Sequence, residues 1–323
     1  MMTPERSSRT LLSDRIAGSF LGLAVCDALG TTLEFRRPGS FEPIHDMVGG
    51  GPFALQPGEW TDDTSMALCL AESLIEREGL DPADQMDRYL RWRDEGECSP
   101  TGECFDVGAT VGAALERYRR YGDPIAGDPS PRLAGNGGLM RLAPAVLYFH
   151  DDEALALEAA WVSTACTHRA PQALSGSDLF ARMLLAALRG EEREAILAAG
   201  KDERFAHAVD EPRDGRYHSE IAAIARGEGI RDPFDYSGGG YVVDTLQVVL
   251  RAFAATDSFR EGALATVNAG GDADTNGAVF GQLAGAYYGL GAIPTEWLER
   301  LAWKDRLLGV ARRLEGRGGV VAE

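Results

Sequence analysis

The chain has few cysteines, a deficit of basic residues and no long apolar runs, and each shortage excludes a class of protein. Its five cysteines form no C-x-x-C pair, and 323 residues can bury a core without a disulfide framework. The N-terminal segment MMTPERSSRTLLSDR has no apolar stretch of the kind that a secretory signal requires. We therefore expect reduced thiols and a cytoplasmic location.

An excess of acidic residues argues against polyanionic partners. The chain carries 50 Asp and Glu against 32 Lys and Arg, a formal net charge of -18, which disfavours binding to nucleic acid or to an anionic membrane. The longest uncharged segments, such as 275–295, contain many glycines and small polar residues, whereas a bilayer span needs roughly 20 predominantly apolar residues. We expect no nucleic-acid or membrane partner, and a monomeric chain.

Several common catalytic motifs are also missing. The sequence has no G-x-S-x-G nucleophile elbow, no GK[ST] phosphate loop and no H-E-x-x-H zinc helix. Its five histidines are scattered, which disfavours a histidine-rich zinc site. The sequence therefore gives no support to serine-hydrolase, P-loop or zinc-protease chemistry.

Helical periodicity covers most of the chain, and strand-like alternation is nearly absent. The segment YVVDTLQVVL (241–250) is rich in β-branched residues, yet its apolar spacing favours a helix. Gly18, Gly22 and Gly30 lie among apolar residues at spacings that suit close packing of one helix on another. Helices are predicted over 16–30, 64–77, 83–94, 107–120, 152–166, 173–189, 218–226, 241–255, 258–268, 276–290 and 296–314.

Segments rich in glycine, proline or charge separate these helices. They are predicted to be loops: 36–59, 121–138, 200–217 and 227–240. The sequence contains no repeat of solenoid length and no low-complexity linker. It therefore predicts a single all-α domain over 1–323 with long functional loops, and with flexible ends at 1–10 and 315–323.

The segment GGDADTNGAVFG (270–281) resembles the opening of an EF-hand calcium loop. Asp272 and Asp274 stand at the required spacing, but the bidentate Glu needed at the twelfth position is replaced by Leu283. The calcium interpretation therefore fails, and the cluster is either a helix cap or part of another metal site.

A second cluster of the same kind lies in GEWTDDTSM (58–66). Asp62 and Asp63, flanked by threonines, also open an apolar helix, 210 residues before Asp272 (272 minus 62). Carboxylate and hydroxyl oxygens suit Mg²⁺ or Mn²⁺ rather than zinc, and four aspartates would fit a two-metal site. Two independent helix caps remain the alternative, because Asp and Thr are ordinary N-cap residues.

With these motifs the sequence resembles the ADP-ribosylglycohydrolase family, whose members remove ADP-ribose from modified proteins. Two further segments, SPTGECFDVGAT (99–110) and GGYVVDTL (239–246), resemble its arginine-specific bacterial branch, typified by dinitrogenase reductase-activating glycohydrolase. The segments that carry the family resemblance are GSFLGLAVCDALGTTLEF (18–35), GEWTDDTSMAL (58–68), GNGGLMRLAP (135–144), STACTHRAP (163–171) and NAGGDADTNGAVFGQLAGAYYG (268–289).

The resemblance implies a fold, a cofactor and a set of site residues. It implies an all-α, orthogonal helical bundle whose long loops surround a dinuclear Mg²⁺ or Mn²⁺ centre. Glu34 and Asp106 match the family's catalytic acidic residues. The implied metal ligands are Thr61, Asp62, Asp63, Asp272, Asp274 and Thr275. The implied substrate-binding residues are Gly135, Asn136, Gly137, Gly138, Leu139, Met140, Arg141, His168 and Tyr241.

Two positions depart from the family pattern, and several residues also have plainer interpretations. Cys26 stands where the family commonly has Gly, and Gly138 where Ser or Ala is frequent. Asp106 could cap a helix starting near Val107, and His168 could favour the dipole at a helix end. Glu34 could be an exposed loop acid, Tyr241 a core aromatic residue and the GNGG segment only a turn.

The resemblance implies metal-dependent hydrolysis of the N-glycosidic bond between ADP-ribose and a protein arginine, which reverses mono-ADP-ribosylation. The expected partners are an ADP-ribosylated protein and the ADP-ribose product. The alternatives are hydrolysis of serine-linked or O-acetyl-ADP-ribose, a non-catalytic module that binds ADP-ribose, and a structural helical protein whose clusters are only caps. The motif CFDVG (104–108) favours the arginine linkage, because it resembles the arginine-specific branch.

Overall fold

The computed structural model of the chain describes residues 4–201, 218–228 and 236–315, and the ordered elements within these ranges are helical. The predicted loop residues 202–217 and 229–235, and the terminal residues 1–3 and 316–323, lie outside them. The helices are α1 (Pro4–Gly30), α2 (Asp62–Glu76), α3 (Pro82–Glu95), α4 (Ala109–Tyr121), α5 (Ala143–Tyr148), α6 (Glu153–Ala165), α7 (Pro171–Leu188), α8 (Arg193–Leu197), α9 (Ser219–Ala225), α10 (Val242–Ala255), α11 (Phe259–Val267), α12 (Ala273–Tyr288), α13 (Thr295–Arg300) and α14 (Lys304–Glu315).

The all-α prediction is confirmed, and the segment that begins at Tyr241 is helical rather than extended. The prediction of one helix over 296–314 is wrong, because α13 and α14 are separate. Ala302 N donates to the Gly58 carbonyl at 3.0 Å, and Trp303 takes a left-handed φ of 49°. These tertiary contacts break the helix between α13 and α14. The short helices α5 and α8 were not predicted, because six and five residues show little periodicity.

The helices α1 and α12 form the centre of the core, and glycines allow their backbones to touch. A Cβ atom on Gly22 would collide with the Gly281 carbonyl, and one on Gly18 would collide with the Gly285 carbonyl. The predicted packing role of the α1 glycines is therefore confirmed. One helical stretch among the described residues, Leu11–Leu33, is long and apolar enough to cross a membrane. Of its apolar 18-residue window, 89% is buried inside the protein. Such burial is what the core helix of a globular protein shows.

The contact between α1 and α12 also sets the place of the acidic residues. A Cβ on Gly30 would collide with the backbone at Ala273 and Asp274, so the end of α1 lies against the start of α12. Cys26, one of the two departures from the family pattern, is fully buried beside Asp27, and its carbonyl oxygen would lie 2.4 Å from a Cβ added to Gly277. The crossing therefore places acidic residues from both ends of the chain side by side.

Candidate metal centre and adjoining cavity

Asp27, near the end of α1, accepts four hydrogen bonds from the start of α2. Its Oδ1 accepts from the backbone N and the Oγ1 of Thr61 at 3.0 and 2.9 Å. Its Oδ2 accepts from the backbone N and the Oγ1 of Thr64 at 3.0 and 2.6 Å. These donors occupy both oxygens, so Asp27 caps α2 from a neighbouring helix. Sequence analysis missed this role, although an aspartate inside an apolar helix was a visible signal.

The structure contradicts the helix-cap interpretation of both acidic clusters. Thr61 and Asp272 occupy the N-cap positions of α2 and α12, and neither side chain makes a cap hydrogen bond. Asp106 does not cap a helix either, because α4 begins at Ala109 and its N-cap residue is Gly108. The carboxylates of these clusters are therefore available for another purpose.

The acidic clusters at the starts of α2 and α12 lie in direct contact. Thr61 Oγ1 lies 3.1 Å from an Asp63 oxygen and 3.1 Å from an Asp274 oxygen. Carboxylate oxygens of Glu34, Asp106 and Asp274 also lie within 4.8 Å of one another. The predicted metal ligands of the two helix starts thus form one group, and both predicted catalytic acids border it.

Burial raises the pKa of these carboxyl groups, and mutual repulsion adds to the effect. The pKa values of Asp62, Asp63 and Asp274 lie well above the ordinary aspartate value, with burial as the largest cause and neighbouring carboxylates next. Burial likewise raises the pKa of Glu34 to about 11 and that of Asp106 to about 6. In the part of the chain that the structure describes, no Lys or Arg forms an ion pair with these five groups. No basic side chain in these ranges therefore neutralises the five carboxyl groups by direct pairing.

The donor set fits hard divalent cations. Three buried carboxylate oxygens, on Glu34, Asp63 and Asp274, have no hydrogen-bond partner among the described residues. Such oxygens are costly to bury alone, and Mg²⁺ or Mn²⁺ would satisfy them. One Asp27 oxygen lies within 4.8 Å of oxygens of Asp63 and Asp274, but the four donors to Asp27 leave it a supporting role. The residues present therefore fit a group of oxygen-bound cations.

The loop that carries Glu34 is fixed to the second cluster. Phe35 N donates to the Gly271 carbonyl at 2.7 Å, and Gly271 N donates back to the Arg36 carbonyl at 2.7 Å. Phe35 has a φ of 60°, which is strained for an aromatic residue, and it is 69% exposed at the rim. Glu34 itself is 4% exposed, so the interpretation of an exposed loop acid is wrong.

A cavity of about 230 Å³ adjoins the acidic group. The predicted site residues that line it are Glu34, Asp62, Asp106, Gly135, Asn136, Gly137, Met140, His168, Asp272, Asp274 and Thr275. Thr61 and Asp63 do not line the cavity and are buried beside Asp274. Sequence analysis missed the N-cap Gly108 and the first residues of α4, up to Val111, which line it together with Asp106. The helix start in VGAT was the signal that could have identified them.

The glycine-rich segment forms one wall of the cavity, but not all of its residues reach the interior. Asn136 Nδ2 donates to Asp272 Oδ2 at 2.7 Å, which ties the wall to the second cluster. Leu139 and Arg141 are buried behind the wall and do not line the cavity. Gly138 does not line it either, and a Cβ there would lie 2.5 Å from the Thr164 methyl group. The Ser or Ala that is frequent in the family would require Thr164 to move.

His168 and Tyr241 take different places. His168 lines the cavity at 3% exposure, and burial, followed by the charge of Arg141, lowers its pKa to about 3. A neutral imidazole cannot act as a cation at a helix end, so the dipole interpretation is wrong. Tyr241 precedes α10 outside the cavity, and its hydroxyl donates to Glu220 at 2.7 Å, while the neighbouring Gly240 lines the interior.

A larger cavity, about 800 Å³, lies elsewhere on the surface. Its walls come from α6, α7, α8 and the segments that follow α7 and α8, and include Arg182, Arg189 and Lys201. None of the acidic-cluster residues lines it, so the smaller cavity is the one that joins the candidate metal centre.

Comparisons with known proteins agree with the resemblance. Residues 8–321 match the family model described as ADP-ribosylglycohydrolase. The chain is 39% identical to the ADP-ribosylarginine hydrolase Tri1 of Pseudomonas putida (strain GB-1), across 100% of this chain and 82% of that protein. It is 36% identical to the ADP-ribosyl-[dinitrogen reductase] glycohydrolase of Rhodospirillum rubrum, across 90% and 91%. A solved structure, titled ADP-ribosylglycohydrolase-related protein complex, superposes with a TM-score of 0.82 at 46% identity, across 95% and 98%.

Proposed function

The chain belongs to the ADP-ribosylglycohydrolase family, and we propose that it hydrolyses the N-glycosidic bond between ADP-ribose and a protein arginine with the help of two divalent cations. The observation that carries the proposal is the convergence of two aspartate clusters, 210 residues apart (272 minus 62), beside a glycine-walled cavity. Their unpartnered oxygens need cations, and a sugar with vicinal hydroxyls can share those cations. The names of the Pseudomonas and Rhodospirillum relatives support ADP-ribosyl bond hydrolysis, and the first names arginine.

The cations would have two roles. Held by oxygens of Asp62, Asp63, Asp272, Asp274 and the neighbouring threonines, they would orient the ribose and polarise a water molecule. All other steps fall to side chains and backbone groups of the chain.

The acidic side chains at the cavity suit the cleavage of a sugar from a cationic leaving group. Bond breaking at the ribose gives a transition state that resembles an oxocarbenium ion, and nearby carboxylates stabilise its positive charge. Asp106 lines the cavity beside Glu34, where it would attract the guanidinium of the departing arginine. A guanidinium is already cationic, so its departure needs little further protonation.

The glycine-rich wall of the cavity suits the diphosphate of ADP-ribose. Backbone N–H groups of Gly135 and Gly137 can approach an anion closely because these residues carry no Cβ. The cavity volume of about 230 Å³ leaves room for part of ADP-ribose, and the remainder would extend past the rim at Phe35.

The test is a panel of arginine-linked, serine-linked and acetyl-linked ADP-ribose, assayed with Mg²⁺, with Mn²⁺ and with excess chelator. We expect the fastest release from the arginine linkage, and no release in chelator. Faster turnover of the serine or acetyl linkage would move the substrate assignment to that linkage. Tight ADP-ribose binding with no turnover of any substrate would indicate a binding module, and full activity in chelator would overturn the role of the cations.

A further inference from the structure

Three buried side chains form a line behind the glycine-rich wall. Arg141 Nη2 donates to Thr167 Oγ1 at 2.6 Å, and Thr167 Oγ1 lies 2.8 Å from His168 Nδ1. The exposed fractions of the three residues are 1%, 0% and 3%. Solvent therefore does not compete for these hydrogen bonds.

The positions of the hydrogens follow from the donors available. A guanidinium has only donors, so the Thr167 oxygen accepts from Arg141. The Thr167 hydroxyl hydrogen then needs an acceptor, and His168 Nδ1 is its hydrogen-bonding neighbour among the described residues. The imidazole thus accepts at Nδ1, which leaves the single hydrogen of the neutral ring on Nε2.

We propose that Arg141 and Thr167 are positioning residues that hold His168 as the neutral Nε2–H tautomer, so that this hydrogen is donated to an oxygen of bound ADP-ribose. The part that concerns the ligand rests on the proposed function. The tautomer itself is a property of the ligand-free protein. His168 acts here as a fixed hydrogen-bond donor and not as a general base.

The surroundings of His168 Nε2 direct the donor toward a ligand. Cβ atoms on Gly135 and Gly137 would each lie 3.0 Å from Nε2, so this edge of the ring faces the wall of the cavity. Nε2 has no hydrogen-bond partner within the described ranges, and His168 lines the cavity. An N–H that faces the cavity without a protein partner favours an acceptor on the ligand.

Arg141 connects this donor to the wall itself. Its Nη1 donates to the Gly137 carbonyl, while its Nη2 holds Thr167. The guanidinium lies over the Tyr89 ring, 5.0 Å from the centroid, and forms no ion pair with a carboxylate in the described parts of the chain. One buried cation therefore fixes both the backbone of the wall and the tautomer of His168, and its charge favours an anionic ligand.

The tautomer can be observed directly by ¹⁵N NMR of the full chain labelled at histidine. The ligand-free wild type should show one imidazole with an unprotonated Nδ1 and a protonated Nε2 near neutral pH. A spectrum of His168→Gln identifies that signal by its loss. Protonation at Nδ1 in the wild type would overturn the inference.

The role of Thr167 is tested with two matched variants. Thr167→Val keeps the shape but removes the hydroxyl, and we expect the single-tautomer signal to be lost and ADP-ribose to bind about tenfold more weakly. Thr167→Ser keeps the hydroxyl and should restore both the signal and the affinity to within about twofold. Melting curves identify any variant that fails to fold, in which case the wild-type spectrum and Thr167→Ser still decide the outcome.

The outcomes separate this inference from the proposed function. Wild-type affinity in a folded Thr167→Val variant would overturn the positioning role while leaving the hydrolase proposal intact. A wild type that binds no ADP-ribose would overturn the proposed function and the ligand part of the inference. The NMR spectrum would still confirm or overturn the tautomer.

Discussion

The side-chain oxygens of Thr61 and Asp274 lie 3.1 Å apart, although 213 positions separate the two residues in the chain. Thr61 precedes α2, and Asp274 lies in the first turn of α12. Asp27 holds Thr61 from α1, and Gly30 lets the end of α1 touch the backbone at Asp274. The candidate metal centre therefore depends on α1, which supplies none of its unpartnered oxygens.

Loss of one aspartate from either cluster is expected to abolish ADP-ribose release. Asp62→Ala removes a buried carboxylate and Asp272→Ala a half-buried one, and both line the cavity, so cation binding should fall below detection while the helical circular dichroism is retained. Release assays and Mg²⁺ titration calorimetry measure both effects. The control is Asp257→Ala, because that side chain is 96% exposed. Full activity in both cluster variants would contradict the prediction.

Asp27→Asn is expected to weaken both the fold and the cation site. The amide would turn a donor toward Thr61 or Thr64, so one buried pair is lost, at a cost of about 1–3 kcal/mol in the free energy of unfolding. Urea unfolding measures that loss, and calorimetry measures cation affinity.

The comparison for Asp27 is an ordinary helix cap far from the site. Asp152 accepts from Leu155 N at 3.1 Å, and Asp152→Ala should cost about 1 kcal/mol. Cation affinity should stay unchanged in that variant. An Asp27→Asn protein with unaltered cation affinity would show that Asp27 supports stability alone.

His168→Gln is expected to change how stability depends on pH. The folded pKa of His168 is lowered to about 3 from 6.5, so the unfolded chain binds more protons between these values. Folding stability should therefore fall with decreasing pH across this window, by about 1.4 kcal/mol per unit for this group. Gln cannot titrate, so the wild-type curve should be steeper than the variant curve from pH 6.5 downward.

The His168 comparison is made by urea unfolding at matched pH values. The acidic clusters are present in both proteins, so the difference between the two curves isolates His168. Parallel curves across the window would mean that His168 titrates normally in the folded protein.

Two Gly→Ala substitutions, one at the contact between α1 and α12 and one away from it, are expected to have opposite effects on stability. Gly281→Ala would place a methyl group against the Gly22 carbonyl, so the two helix backbones must separate. We expect this to lower the free energy of unfolding by about 1–3 kcal/mol and to weaken cation binding. Gly309, within α14, has no atom within 4 Å of an added Cβ, so Gly309→Ala should stabilise by about 0.5–1 kcal/mol. Thermal melts of the two variants test the pair, and equal effects would contradict the close crossing.

Local patterns in the amino-acid sequence predict several parts of the molecule. The periodicity of segments such as that after Tyr241 identifies helices, because an apolar stripe at helical spacing depends only on neighbouring residues. The composition around Asp62 and Asp272 indicates hard metal ligands, since carboxylate chemistry is the same in any fold. The resemblance adds Glu34 and Asp106 as expected catalytic acids, and the fold brings both residues to the cavity.

What no local pattern could decide is which groups remain free to bind a ligand. Thr61 and Asp272 are of residue types that commonly cap helices. The packing of α1 is what supplies Asp27, which caps α2 in place of Thr61. Arg141 belongs to a predicted binding segment, but its side chain is buried behind the glycine-rich wall and does not line the cavity. Sequence therefore determined the helices and the kinds of ligand atom, because these follow from local chemistry. Tertiary structure decided which oxygens lack a partner, because a hydrogen bond depends on residues that are distant in the chain and close in space.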